Sequence, residues 1–120
     1  MIKNPEQIAA IRESAKINVA VLDYVAEHIH AGITTEQIDL WVYEQTTHRG
    51  GIPAPLNYEG FPKSVCTSVN DQVCHGIPSA DVVLSLHQYF VLSLLPDVFF
   101  QGKLHRYRTF WKNQKNIHYK

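Results

Sequence analysis

The chain has 120 residues, which is enough for one small domain with a buried core and too few for two. Its composition is 45% hydrophobic and 18% charged, and its formal net charge is zero, so the whole chain gives no electrostatic reason to expect a nucleic acid or an anionic membrane as partner. No apolar signal segment opens it, and Cys66 and Cys74 are too few for a disulfide scaffold. We therefore expect a cytoplasmic chain with reduced thiols.

The first helix is predicted from its start signal. Asn4 can cap it, Pro5 suits its first position, and Gln7 stands where a capping box requires it. Apolar residues then recur at steps of three and four, which predicts an amphipathic helix with one buried face. These residues are Ile8, Ile11, Ala15, Leu22, Val25 and Ile29. Gly32 is the expected C-cap.

A second helix is predicted to open at Thr34, again with a capping signal, and to end at Arg49-Gly50-Gly51. The two helices are expected to pack as a pair on the rest of the fold. A coiled-coil seam is the weaker alternative, because Gly32 interrupts the repeat.

A β-hairpin follows. Alternating residues from Val65 to Val69 predict a strand, residues 70–72 a turn, and residues 73–75 a returning strand. The order helix, helix, hairpin predicts an α+β fold for residues 1–84. Beyond Leu84 neither helical nor strand periodicity is clean, and no structure is assigned.

Charge and aromatic content also change at that point. Residues 1–84 contain five basic and ten acidic side chains, whereas residues 85–120 contain six basic side chains and one acid. Eight of the aromatic residues lie in the last 36 positions and five in the first 84. We therefore divide the chain into residues 1–84 and a basic, aromatic tail, residues 85–120.

The segment from Asn57 to Pro78 reads NYEGFPKSVCTSVNDQVCHGIP. It resembles the signature hairpin of type I methionine aminopeptidases, N-Y-x-G-F/Y-P-K-S-x-C-x-S-x-N followed by H-G-I-P. The patterns I-x-x-I-R-x-x-A-K from Ile8 and A-G-x-T-T-x-x-I-D from Ala31 also resemble that family. The resemblance covers residues 1 to about 84.

This resemblance implies part of a pita-bread α/β fold and, in the family, removal of the initiator methionine from nascent peptides. Members use two divalent metal ions (Co, Mn, Fe or Zn), held by two aspartates, a histidine and two glutamates that follow the H-G-I-P motif. Counted from His75, the two aspartates should fall near Ser93 and near Leu104, neither of which can bind a hard cation as a carboxylate does. A reading-frame shift near codon 85 is our preferred explanation, with a fusion or a divergent C-terminus as alternatives.

The resemblance also implies roles for individual residues. His75 matches a histidine that is not a metal ligand and hydrogen-bonds at the scissile amide. Tyr58, Phe61 and Cys66 match positions that line the pocket for the methionine side chain, where aromatic rings and a thiol suit a thioether. The plainer alternative is a hairpin core, with His75 bonded to a nearby carbonyl.

The sequence leaves two other functions open. A zinc site formed by Cys66, Cys74, His75 and His87 has an unusual spacing for structural zinc. The tail could bind RNA or a ribosomal surface through Arg106, Arg108, Lys112 and Lys115 with Tyr107, Phe110 and Trp111, although no recognised nucleic-acid module is present.

From the sequence we therefore expect a truncated and inactive member of an aminopeptidase family, which binds no catalytic metal pair and does not enter membranes. Exposed apolar surface, left by the missing half of the sheet, would favour self-association.

Overall fold

A computed structural model describes residues 2–72, 75–85 and 90–93. Its elements are helix α1 (Pro5–His28), helix α2 (Thr35–His48), a 3₁₀ turn (Tyr58–Gly60), and strands β1 (Cys66–Val69) and β2 (Phe90–Ser93). Two helices followed by strands agree with the predicted α+β class. Within the described ranges, no helix is long and apolar enough to cross a bilayer.

Helix α1 begins as predicted. The side chain of Asn4 accepts the backbone N–H of Gln7 at 2.8 Å, and the Gln7 side chain accepts the backbone N–H of Asn4 at 3.0 Å, which completes a capping box. The predicted end is wrong, because the C-cap is Ile29 rather than Gly32. Ile29 leaves the helix in an extended conformation and buries its side chain in the core, so the left-handed Gly32 (φ 94°) serves the following turn instead.

That turn joins the helices to the segment after His75. Gly32 N–H donates to the carbonyl of Leu84, and Leu84 N–H donates to the carbonyl of Ile33, each at 2.8 Å. Thr34 forms an isolated antiparallel bridge with Val83. Residues 82–84 are therefore anchored at the start of α2.

Helix α2 confirms the prediction from Thr34, whose hydroxyl accepts the N–H of Gln37 at 3.1 Å. It ends at His48, with Arg49 as C-cap and Gly50 in a left-handed conformation at φ 79°. The buried residues of α2 include Ile38 and Val42, which face α1 and β1 in a single core.

The strand predicted in residues 65–69 is confirmed as β1, and the turn at Asn70 follows it with φ 54°. Residues 73–75 were predicted to pair with β1 as a hairpin, but the described residues pair β1 with a different segment. β1 pairs antiparallel with β2, in the register Cys66↔Ser93 to Val69↔Phe90, so a segment assigned no structure from the sequence supplies the strand. Of the predicted returning strand, residues 73 and 74 lie outside the described ranges, and His75 has φ 56°, which is incompatible with a strand.

The core of the described residues meets only the second half of α1. Val21, Leu22 and Val25 are buried there against residues of α2, β1 and β2. The prediction of one buried face is therefore confirmed for the second half of α1 and wrong for the first, where Ile8 is 39% exposed. All four residues of β1 are buried, so both faces of this strand are covered.

Candidate functional site

A cavity of about 380 Å³ brings together the four residues singled out from the sequence: Tyr58, Phe61, Cys66 and His75. The other lining residues are Pro55, Glu59, Gly60, Pro62 and Ile77. The volume lies within the range of about 300–1,000 Å³ that is common for small-molecule sites. The lining is mainly apolar and aromatic, and the Cys66 thiol and the His75 imidazole lie at one side of it.

One wall is a tight loop that follows Pro55. Asn57 N–H donates to the carbonyl of Phe61 at 2.8 Å, and Phe61 N–H donates to the carbonyl of Tyr58 at 2.9 Å. Left-handed conformations at Asn57 and Gly60, with φ of 65° and 82°, allow the chain to reverse in so few residues. The loop thereby directs residues 58–62 toward the cavity.

A second part of the lining comes from the start of β1 and the segment after it. Sγ of Cys66 lies 3.9 Å from Nδ1 of His75, and the imidazole tautomer decides which of the two donates. Cys66 is 3% exposed, whereas His75 is exposed to solvent. A buried thiol thus faces a ring that remains accessible to a ligand.

Helix α2 anchors the chain immediately before β1. Oδ1 of Asp39 accepts the backbone N–H of Ser64 at 2.7 Å, and Nζ of Lys63 lies 3.3 Å from Oε1 of Glu36. Burial raises the pKa of the Asp39 carboxyl above its ordinary value, an effect opposed by the hydrogen bond from Ser64 and by the charge of Lys63. Asp39 therefore connects the helix to the wall of the cavity that contains Cys66.

A dinuclear metal centre needs several donor side chains around each ion. Among residues 2–72, 75–85 and 90–93, no three or more His, Cys, Asp or Glu side chains come close enough to hold an ion. Cys66 and His75 supply only two donors, fewer than the three or four protein ligands that a single zinc ion takes. The backbone of Ser93, the position expected for the first aspartate, pairs with Cys66. The described residues do not fit a metal pair.

Several residues named from the sequence lie outside the described ranges. They are Cys74 and His87 of the zinc hypothesis, Leu104 at the second aspartate position, and the tail residues Arg106, Tyr107, Arg108, Phe110, Trp111, Lys112 and Lys115.

Ile77 and Glu59 line the cavity but were not among the candidates from the sequence. Ile77 is 54% exposed, and Glu59 has φ 48° within the tight loop. Ile77 belongs to the H-G-I-P motif, which was the available signal. No sequence signal indicated Glu59, because its place in the lining depends on a local backbone turn. Asp39 was also missed, although it ends the A-G-x-T-T-x-x-I-D pattern, because an acid on a helix is usually solvated.

Comparison with known proteins adds the last observation. The model of metallopeptidase family M24 matches residues 9–114, which extends past Leu84. The chain is 58% identical to methionine aminopeptidase 1A of Arabidopsis thaliana over 79 residues, covering 66% of this chain and 20% of that protein. It is 42% identical to methionine aminopeptidase 1 of Saccharomyces cerevisiae over 101 residues, covering 84% of this chain and 25% of that protein.

A solved structure is similar as well. The crystal structure of methionine aminopeptidase from Rickettsia prowazekii superposes with a TM-score of 0.68 at 36% identity, over 78% of this chain and 38% of that one. The chain thus spans between a fifth and a quarter of the two curated relatives, and it corresponds to one part of their domain.

Proposed function

Because the chain belongs to metallopeptidase family M24, we propose that it forms the pocket in which a methionine aminopeptidase holds the side chain of an N-terminal methionine. One observation carries the proposal: Tyr58, Phe61, Cys66 and His75 line a single cavity. Aromatic rings and a thiol are good neighbours for an unbranched, polarizable thioether. The proposed ligands are the N-termini of newly made polypeptides.

His75 is proposed to bind the polar part of the peptide. Its Nδ1 faces Cys66, and its ring is exposed at the cavity, so Nε2 remains for a group of the ligand. An imidazole can donate or accept a hydrogen bond near neutral pH, which suits a contact with the amide that follows the methionine.

Hydrolysis is not part of the function proposed for these 120 residues. The described side chains do not fit a pair of divalent ions, and the positions expected for the two aspartates are Ser93 and Leu104. We therefore expect no free methionine when the chain is incubated with cobalt or manganese and the peptide Met-Gly-Met. Turnover above that of a His75→Ala control would overturn this part of the proposal.

Binding is tested with two exposed isoleucines. Ile77 lines the cavity and is 54% exposed, whereas Ile52 does not line it and is 85% exposed. Ile77→Ala should weaken binding of Met-Gly-Met about fourfold for each methylene contact that is lost, since each is worth about 0.8 kcal/mol. Ile52→Ala should bind as the unaltered chain does.

Calorimetric titration with Met-Gly-Met, and with Lys-Gly-Met as a control peptide, measures these affinities. Equal affinity for the two peptides, or equal losses in Ile77→Ala and Ile52→Ala, would exclude a methionine pocket at this cavity.

A further inference from the structure

Strand β1 forms hydrogen bonds with both the carbonyl and the N–H of Gly76, the residue that follows His75. Thr67 N–H donates to the carbonyl of Gly76 at 2.8 Å, and Gly76 N–H donates to Oγ of Ser68 at 3.3 Å. Ser68 is 5% exposed, so its hydroxyl makes this bond away from solvent. Gly76 is thereby attached to two consecutive residues of β1.

The contact leaves no room for a side chain at Gly76. A Cβ atom there would collide with the carbonyl oxygen of Thr67 and come within 2.9 Å of the Gln72 side chain. Only glycine permits this close approach of two backbones. The position of Gly76 relative to β1 is therefore closely defined.

His75 depends on the same attachment. Its φ of 56° lies in the left-handed region, which costs an L residue about 1–2 kcal/mol and persists only where neighbouring contacts impose it. On its C-terminal side, those contacts are the two hydrogen bonds of Gly76. The ring of His75 then lies 3.9 Å from Cys66, the residue of β1 that directly precedes Thr67.

We infer that Ser68 is a positioning residue, whose hydroxyl fixes Gly76 and so holds the His75 ring against Cys66 in the cavity. Of the two bonds to Gly76, the one from Thr67 is made by backbone and survives a change of side chain, whereas the one to Ser68 does not. The identity of the ligand that the His75 ring contacts rests on the proposed function. The positioning of the ring by Ser68 does not.

The experiment compares Ser68→Ala with Ser68→Thr, which keeps a hydroxyl, in the full 120-residue chain. Ser64→Ala is the matched control, because Ser64 is also buried and its bond to Asp39 uses the backbone N–H. The first readout is nuclear magnetic resonance of the His75 ring, by its chemical shifts and its Overhauser contact with Cys66. The second is the affinity for Met-Gly-Met.

In Ser68→Ala the ring resonances should move and the contact with Cys66 should weaken, and peptide affinity should fall about three- to tenfold, the effect of one neutral hydrogen bond. Ser68→Thr should restore both, and Ser64→Ala should change neither. Unchanged ring resonances in Ser68→Ala, or shifts equal to those in Ser64→Ala, would overturn the inference.

The ring resonances separate the role of Ser68 from the proposed function. If the unaltered chain does not bind Met-Gly-Met, the proposed function fails, and the ring resonances still decide the role of Ser68. If Ser68→Ala does not fold, Ser68→Cys replaces it, because a thiol is a similar shape and a weaker acceptor. The ring should move in Ser68→Cys and not in Ser68→Thr, and identical resonances in the two variants would contradict the inference.

Discussion

At the scale of single residues, the cavity depends on backbone conformations that are uncommon for residues other than glycine. Asn57, Glu59 and His75 all have positive φ, and all lie in or beside the cavity lining. Asparagine and histidine occur in this region more often than most residues do, but each still has a cost there that glycine does not have. Strain of this kind concentrates at functional sites, where a required side chain outweighs its cost in stability.

Two replacements of His75 separate the cost of its left-handed backbone conformation from the role of its ring in binding. The side chain is exposed, so its removal loses little packing, and glycine relieves the left-handed conformation that alanine retains. His75→Gly should therefore be more stable than His75→Ala by up to about 1 kcal/mol, as measured by urea unfolding. Both should lose affinity for Met-Gly-Met. Equal stability, or a more stable alanine variant, would show that φ is relaxed in solution.

At the scale of elements, α2 is the helix that organises the cavity walls. Its first residue, Thr35, exchanges hydrogen bonds with Ser79 at 2.9 and 3.1 Å, and Asp39 accepts the N–H of Ser64. The helix therefore holds the chain before β1 and again after Gly76. The segments that contain Cys66 and His75 therefore share one support.

The buried carboxyl of Asp39 makes this support dependent on pH. Because burial raises its pKa above the ordinary 3.8, the folded chain retains the proton more strongly than the unfolded chain. The contribution of this raised pKa to the free energy of unfolding is complete below pH 3.8. It is lost as the pH rises through the pKa of Asp39 in the folded chain. Asp39→Asn keeps an oxygen that can accept from Ser64, and it does not titrate.

The free energy of unfolding of the unaltered chain, relative to Asp39→Asn, should therefore decrease as the pH rises from below 3.8 and level off above the folded pKa. Denaturant unfolding at a series of pH values measures this difference. A difference that is constant, or that increases with pH, would contradict the burial of this carboxyl.

Much of this arrangement is predictable from local signals, and the rest depends on distant contacts. Asn4 and Thr34 cap their helices through residues three positions away, so the sequence predicted both starts. Strand β2 pairs with β1 across a long separation, and no local pattern indicated it. Tyr58, Phe61, Cys66 and His75 were predicted from the family motif. Asp39 and Ser68 also lie in the quoted patterns, but nothing in the sequence indicated that they accept the supporting bonds from Ser64 and Gly76.

At the scale of the whole molecule, the described core is unevenly distributed. It contains the second half of α1, together with α2, β1, β2 and Leu84. The first half of α1 extends from it with Ile8 39% exposed, and Leu40 and Tyr43 of α2 are also exposed. Such apolar surface is consistent with the expected self-association, which we retain as a proposal.

This distribution predicts uneven protection of backbone amides. Residues 8–15 have few buried contacts, whereas residues 21–26 include the buried side chains of Val21, Leu22, Val25 and Ala26. In hydrogen exchange the first group should exchange at least about tenfold faster than the second. Equal protection along α1 would show that the exposed half is covered in solution, for instance by a second copy of the chain.

The central claim is that the cavity between Tyr58 and His75 accepts a methionine side chain. Titration of the isotope-labelled chain with Met-Gly-Met, followed by the backbone amide resonances, tests it most directly. We expect shifts concentrated in residues 58–62, 66 and 75–77, and much smaller shifts with Lys-Gly-Met. Shifts concentrated on α1 around Arg12 and Lys16, or the same pattern with both peptides, would contradict it.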